Sequence, residues 1–453
     1  MKKRTFAVQK IPHTKLLLIA VVIAAFATFV VEPGVLYSDS FERADYADMI
    51  VHNSWWRGFI PYVTMLPSVY IAFFLWLTNN IAVYTFVQAA MFLWVIEEAL
   101  CIVCKNYLYA VAVFAIFSPL FVGCSVWWET GVVTVAGLVC LVFLDRALDG
   151  ERDLLMLWLK IALYVFLCFT ITGYRVNATT AIAGLLLWNG IETVCWQKKK
   201  RMLAARFVAA VLGVFLALQV PSFLGVENKS NAMTGVLWET ACTVSRVGPG
   251  HGYDEYLDPI IGEGNTSRLF GVEDPEGSMY QFSDIFDYWS IVKQDDGEIL
   301  DSYIQIIKEK PVEYLGVKAK IIWNTLTDAK FNEGSYSKDY NNRLQEFSSS
   351  DTMRRDRAIN LVNQYMEVIS FLQIPVLLFG MALALILACK LLRREVLAMM
   401  QLWFVAFCYE GGYFVTTQSY EFRYFFPAWF LLVLVILAAA GSLVRGLRTG
   451  GRP

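Results

Sequence analysis

Sixteen positions behind the first long apolar run hold an unusual density of ionisable groups. They read Tyr37-Ser38-Asp39-Ser40-Phe41-Glu42-Arg43-Ala44-Asp45-Tyr46-Ala47-Asp48 and end at His52. A carboxylate placed there can take a proton from a hydroxyl as a general base. It can equally ligate a divalent cation such as Mg or Mn through oxygen. Asp39 lies nearest the apolar run and has a serine on either side. Asp45 and Asp48, three apart, share a face if the segment is helical. A solvated loop whose aspartate caps a short helix accounts for the same residues.

Three further short segments carry charge between apolar runs. Trp127-Trp128-Glu129 sets a carboxylate beside two indoles, which anchor at a membrane interface and whose faces also stack on sugar rings. Gly173-Tyr174-Arg175-Val176-Asn177 and Gln418-Ser419-Tyr420-Glu421-Phe422-Arg423-Tyr424-Phe425-Phe426-Pro427 each present one arginine. A guanidinium suits a phosphate oxyanion through its bidentate fork. It also pairs with a neighbouring acid, such as Arg423 with Glu421, to hold helices together.

Composition says what must position these groups. Of 453 residues, 57% are hydrophobic and 17% charged, far more apolar than an ordinary soluble domain. Apolar runs long enough to cross a hydrocarbon core of about 30 Å recur along the chain. The expected fold is an all-α polytopic membrane protein of about ten spans, near 15–32, 80–103, 107–125, 130–146, 155–172, 178–196, 203–223, 366–390, 396–414 and 425–444. Basic residues at 2–4, 105, 146, 152, 198–201, 390, 393–394, 445 and 448 then fall on one side, which the positive-inside rule makes cytoplasmic, with both termini. Residues 59–77 would spoil that alternation if they crossed. Pro61 and Pro67 mark them as an outer-surface segment, with an eleventh span as the alternative. Minimal cytoplasmic loops fit a bacterial plasma membrane.

The remaining charge is segregated. Residues 224–365 hold 14 Lys and Arg against 23 Asp and Glu, a balance of −9, leaving 24 against 17 elsewhere. The expected organisation is a transmembrane region 1–223, an outer domain 224–365 and a second transmembrane region 366–453. In the outer domain, glycines and prolines over 247–275 predict irregular structure. Apolar periodicity over 299–325, restarting at Pro311, predicts paired amphipathic helices on the membrane surface or on the bundle. Asn177, Asn228 and Asn265 head outward sequons.

Several functions are excluded or weakened. No basic stripe interleaves with aromatics, so nucleic acid is not an expected partner. Nine cysteines are scattered, with only Cys242 in the outer domain. His13, His52 and His251 lack metal-ligand spacing, and no phosphate-loop, nucleophile-elbow or dinucleotide fingerprint occurs.

Taken together, the layout resembles the GT-C class of polytopic glycosyltransferases. The resemblance rests on Ser38-Asp39-Ser40 opening an acidic first outer loop, and on Phe117-Ser118-Pro119-Leu120-Phe121 before an outer turn with Glu129. Arg423-Tyr424 with Pro427 shortly after completes it. Members often carry a paired acid in the first loop and a C-terminal soluble domain, whereas this chain has Asp39 between serines and an internal outer domain. The resemblance implies inverting transfer of a sugar from a polyprenyl-phosphate donor to a glycan, lipid or protein hydroxyl. Asp39 would be the base. Glu129 would assist acceptor or metal binding, with Asp45, Asp48 and His52 as further candidates. Arg175 and Arg423 would hold the phosphate, Arg354 and Arg355 would add lipid-phosphate contacts, and Trp127 and Trp128 would stack on sugar. A polymerase or ligase of lipid-linked glycans, using a diphosphate donor, is the nearest alternative. A transporter or flippase, which expects mid-membrane charges and related halves, fits less well.

Overall fold

The computed structural model describes residues 13–35, 38–52, 64–104, 107–127, 130–149, 151–196, 200–226, 232–286, 296–328, 352–392, 396–416 and 422–448. The fold is all-α. An isolated bridge between Val35 and Trp127 is the one β contact among these residues.

The first region contains α1 (His13–Val31), α2 (Ser38–His52), α3 (Met65–Thr78), α4 (Ala82–Cys104), α5 (Tyr107–Ser125), α6 (Thr130–Leu148), α7 (Leu154–Tyr174), α8 (Thr179–Trp196) and α9 (Lys200–Leu218). Then come α10 (Ala232–Val247), α11 (Asp254–Ile261), α12 (Asp296–Glu309), α13 (Pro311–Thr327) and α14 (Thr352–Val368). The chain finishes with α15 (Pro375–Leu391), α16 (Leu397–Thr416) and α17 (Phe422–Arg448). Among the described residues, seven helices are long and apolar enough to cross a membrane: α1, α4, α6, α7, α8 with its preceding turn, α9 and α17. The expected spans in α5 and α15 form shorter apolar helices. The span in α16 forms a helix whose polar residues Gln401 and Glu410 face the interior, both buried.

Hydrogen bonds sort the helix ends into two faces. On one, Thr85 of α4 bonds the Pro33 carbonyl behind α1. There too, Gln88 bonds the carbonyls of Ser125 and Trp127 behind α5. Arg175 behind α7 reaches Thr130 at the start of α6. On the other face, His13 at the start of α1 pairs with Glu98 near the end of α4 at 2.6 Å. Asp145 of α6 is bonded there by Asn189 of α8 and Gln401 of α16, and pairs with Arg206 of α9 at 2.9 Å. The fold closes that second face with a buried ion pair whose acid has amide donors on both oxygens.

The segment around 59–77 is settled where it is described. The α3 helix starts with Thr64 donating to the Tyr174 carbonyl behind α7 and ends beside the start of α4, so both its ends lie on the first face. Asn79 closes it in the left-handed conformation (φ 52°), and Asn80 caps α4 by accepting from Ala82 N–H at 2.9 Å. Pro67 sits in the first turn of α3, where no helical hydrogen bond is lost. Pro61 lies outside the described residues, as do residues 59–63.

Small residues let helices approach closely. A Cβ on Gly213 of α9 would stand 2.5 Å from the Val165 carbonyl oxygen and 2.7 Å from Cys168 Cβ, so α7 and α9 touch backbone to side chain there. All nine cysteines are free thiols.

The α10–α13 helices share a hydrophobic core of their own, built from Trp238, Leu257, Ile260, Phe282, Ile299, Ile306, Val317 and Ile321. The expected paired helices appear as α12 and α13, broken at Lys310 before Pro311. The stretch expected to be irregular includes α11, whose Asp258 accepts from Gly264 and Thr266 N–H to fold the glycine-rich turn. Asn265 donates to the Ile261 and Ile285 carbonyls, so its sequon amide is engaged in structure. The Asn228 sequon lies outside the described residues. The expected domain end at 365 falls inside α14, whose Val362 and Tyr365 pack on the bundle core.

Candidate functional site

The helix ends on the first face bring three of the singled-out residues together. Asp39 lies in the first turn of α2, with its side chain 28% exposed. Its Oδ2 pairs with Arg43 Nη2 at 3.7 Å, one turn on, and with Arg423 Nη1 at 3.8 Å, in the first turn of α17. Arg43 is buried. Arg423 also donates from Nη2 to the Tyr424 hydroxyl at 3.2 Å and lies over that ring. The Asp39 carboxylate thus meets two guanidinium groups at the end of the bundle.

Arg175 stands directly beneath and is turned inward. Nε donates to Thr130 Oγ1 at 2.8 Å. Nη1 has the Tyr413 hydroxyl at 2.9 Å, the Tyr409 hydroxyl at 3.1 Å and the Arg423 carbonyl at 3.1 Å. The last contact has a local cause. Pro427, inside α17, has no N–H for the carbonyl four positions earlier, and that carbonyl belongs to Arg423. Arg175 fills the vacancy. Arg175, expected to bind phosphate alongside Arg423, makes contacts that fasten α6, α16 and α17 to one another. Ser118 does the same service in α5, where its hydroxyl bonds the Ala115 carbonyl that Pro119 leaves without a helical donor.

The other candidates lie elsewhere. Asp48 and His52 pair with each other at 3.2 Å on the exposed end of α2, about 13 Å along the axis from Asp39. Asp45 is half-buried between them and Asp39. Trp127 is buried, with its ring 6.5 Å from that of Phe426, so its face is committed to packing rather than open to a sugar. Arg354 lies 4.3 Å over the Phe29 ring of α1, and Arg355 is buried in α14, which packs on α1 and α5. Trp128, Glu129 and Glu421 lie outside the described residues.

A divalent cation does not fit the described donors. Among the described residues no three His, Cys, Asp or Glu converge, and the carboxylate at the centre already faces two cationic groups. Among the described residues, Asp39 meets the guanidinium groups of Arg43 and Arg423, with the hydroxyl of Tyr424 beside the latter.

Sequence reading passed over Arg43, Thr130, Tyr409 and Tyr413. Arg43 and Asp39 are four apart, the spacing of a helical ion pair, and that signal was available. Tyr409 and Tyr413 share the same spacing, but only the fold sets them under Arg175. Compared with known proteins, the chain matches no family model, no curated protein and no solved structure.

Proposed function

We propose that this chain is an integral membrane glycosyltransferase that moves a sugar from a polyprenyl-phosphate donor to a hydroxyl of a glycan, lipid or protein acceptor, with inversion. The observation that carries the reading is the pairing of Asp39 with Arg423 across α2 and α17, at one end of the bundle. Asp39 takes the proton of the acceptor hydroxyl while that oxygen attacks the anomeric carbon from the face opposite the phosphate. The bond from carbon to phosphate oxygen breaks, and the charge that develops on the departing lipid phosphate is held by Arg423 and Arg43. The incoming phosphate competes with Asp39 for the same guanidinium groups, so donor binding releases the base it requires. Arg175 keeps Arg423 in place from below.

The test is reconstitution with polyprenyl-phosphate sugars and measurement of released polyprenyl phosphate. Turnover should appear with at least one donor and fall about 10²-fold or more in Asp39→Asn, with the variant still monodisperse and melting within a few degrees of wild type. Undiminished turnover in that variant would overturn the role of Asp39. Release of a polyprenyl diphosphate instead would favour a lipid-linked glycan polymerase or ligase at the same site.

A further inference from the structure

The α13 helix is apolar on two opposite faces. Val317, Ile321 and Thr325 form the buried face, turned toward the outer-domain core. Val312, Leu315, Ala319 and Trp323 recur at spacings of three, four and four on the other face, and all are exposed: Val312 76%, Leu315 63% and Trp323 60%. Spacing of that kind gives one continuous stripe along the helix. A water-facing stripe of this length is unfavourable for a soluble surface.

Two observations indicate what covers it. The first is position. The α13 helix also packs against α15 and α16, and Lys318 Nζ donates to the carbonyl of Val415 at the outer end of α16 at 3.2 Å. Val415 is itself 69% exposed, as are Leu377 and Phe371 at 55% and 60% around the start of α15, so the stripe lies beside the apolar belt of the bundle. The second is charge. The outer domain carries a balance of −9, yet residues 308–320 hold Lys308, Lys310 and Lys320 against Glu309 and Glu313, besides Lys318, whose charge is taken up by the buried Glu239. The only apolar stripe on this helix face is thus accompanied by local positive charge in an acidic domain.

We propose that α13 is an interfacial helix that rests the outer domain on the lipid surface, its Val312–Trp323 stripe among acyl chains and the exposed Lys320 at headgroup phosphates. Trp323 suits that depth, and a long lysine stem reaches from it to the headgroups. This inference is independent of the proposed reaction.

The experiment uses the full chain in nanodiscs of phosphatidylcholine and phosphatidylglycerol. A diazirine amino acid is encoded singly at Leu315, at Trp323 and, as a control, at the exposed Glu255 of α11. Illumination followed by mass spectrometry should give lipid adducts at the first two positions and water adducts at Glu255. Water adducts at all three, or cross-links from Leu315 and Trp323 to a second copy of the chain, would overturn the proposal. Because each outcome is read as a covalent product on protein still held in the disc, a variant that leaves the bundle intact suffices.

Discussion

Arg175 donates to the backbone carbonyl of Arg423 at 3.1 Å, across 248 positions of sequence, because Pro427 cannot. The guanidinium that faces Asp39 therefore hangs from a helix turn that is held by a different helix end. Arg175→Met leaves one carbonyl, the Thr130 hydroxyl and two tyrosine hydroxyls short of a donor in a buried setting. The cost should be about 3 kcal/mol or more. A melting curve in detergent measures it. An unchanged midpoint would show that the clamp carries no stability.

Pro427→Ala separates stability from function at the same contact. Alanine returns an N–H to the Arg423 carbonyl, completes the first turn of α17 and competes with Arg175 for that acceptor. Melting should hold or rise, since proline is the poorest residue for a helix interior. Turnover should fall about tenfold or more, because the guanidinium beside Asp39 shifts with its backbone. A fall in both, or in neither, argues against this division of labour.

The Asp39–Arg423 pair is open to a double-mutant cycle with Asp39→Asn and Arg423→Gln. At 3.8 Å and with partial exposure, its coupling in stability should be only about 0.2–1 kcal/mol. Each single variant should nonetheless lower turnover about 10²-fold. A strong coupling in melting without loss of turnover would make the pair a structural tie.

The sequence made the membrane architecture legible because apolar length is a local property. Seven of the ten expected spans coincide with helices long and apolar enough to cross, the one expected over 366–390 starts only at Pro375, and Pro311 restarts a helix where proline in the first turn costs nothing. Asp39, Arg175 and Arg423 were legible as charges out of place, but their roles were not. Whether an arginine faces inward depends on what lies 234 or 248 positions away, as Tyr409 and the Arg423 carbonyl do for Arg175. The carbonyl vacancy four residues before Pro427 was present in the sequence; its partner was not. Trp127 looked like a sugar platform from its neighbours alone, and only the arrival of Phe426 shows it as packing.

Gly213→Ala tests the closest helix contact. The added methyl would meet the Val165 carbonyl oxygen at 2.5 Å and the Phe169 nitrogen at 3.0 Å, both backbone atoms that cannot swing aside. The α7 and α9 helices must separate, at about 1–3 kcal/mol. Since Arg175 follows directly on α7, turnover should fall with stability in this variant, unlike Pro427→Ala. Melting at wild-type temperature would show that the helices slide past one another freely.

The α10–α13 region carries a pH dependence of its own at Asp258. Partial burial opposes ionisation of this carboxyl, but the Thr266 hydroxyl at 2.6 Å and the Gly264 and Thr266 N–H groups at 2.8 and 2.9 Å outweigh it, so its pKa lies below the ordinary value. A carboxyl with a depressed folded pKa contributes stability that is present above the unfolded value of about 3.9 and is lost as pH falls through the lower folded one. The turn from Asp258 to Thr266 should accordingly stay closed at about pH 5 and open below about pH 3.9. Amide hydrogen exchange at Gly264 and Thr266, corrected for the intrinsic pH effect, reads the opening directly. Asp258→Asn should exchange faster at about pH 5 and show little further change on acidification. Equal protection in wild type and variant across that range would mean that the three hydrogen bonds do not hold the turn.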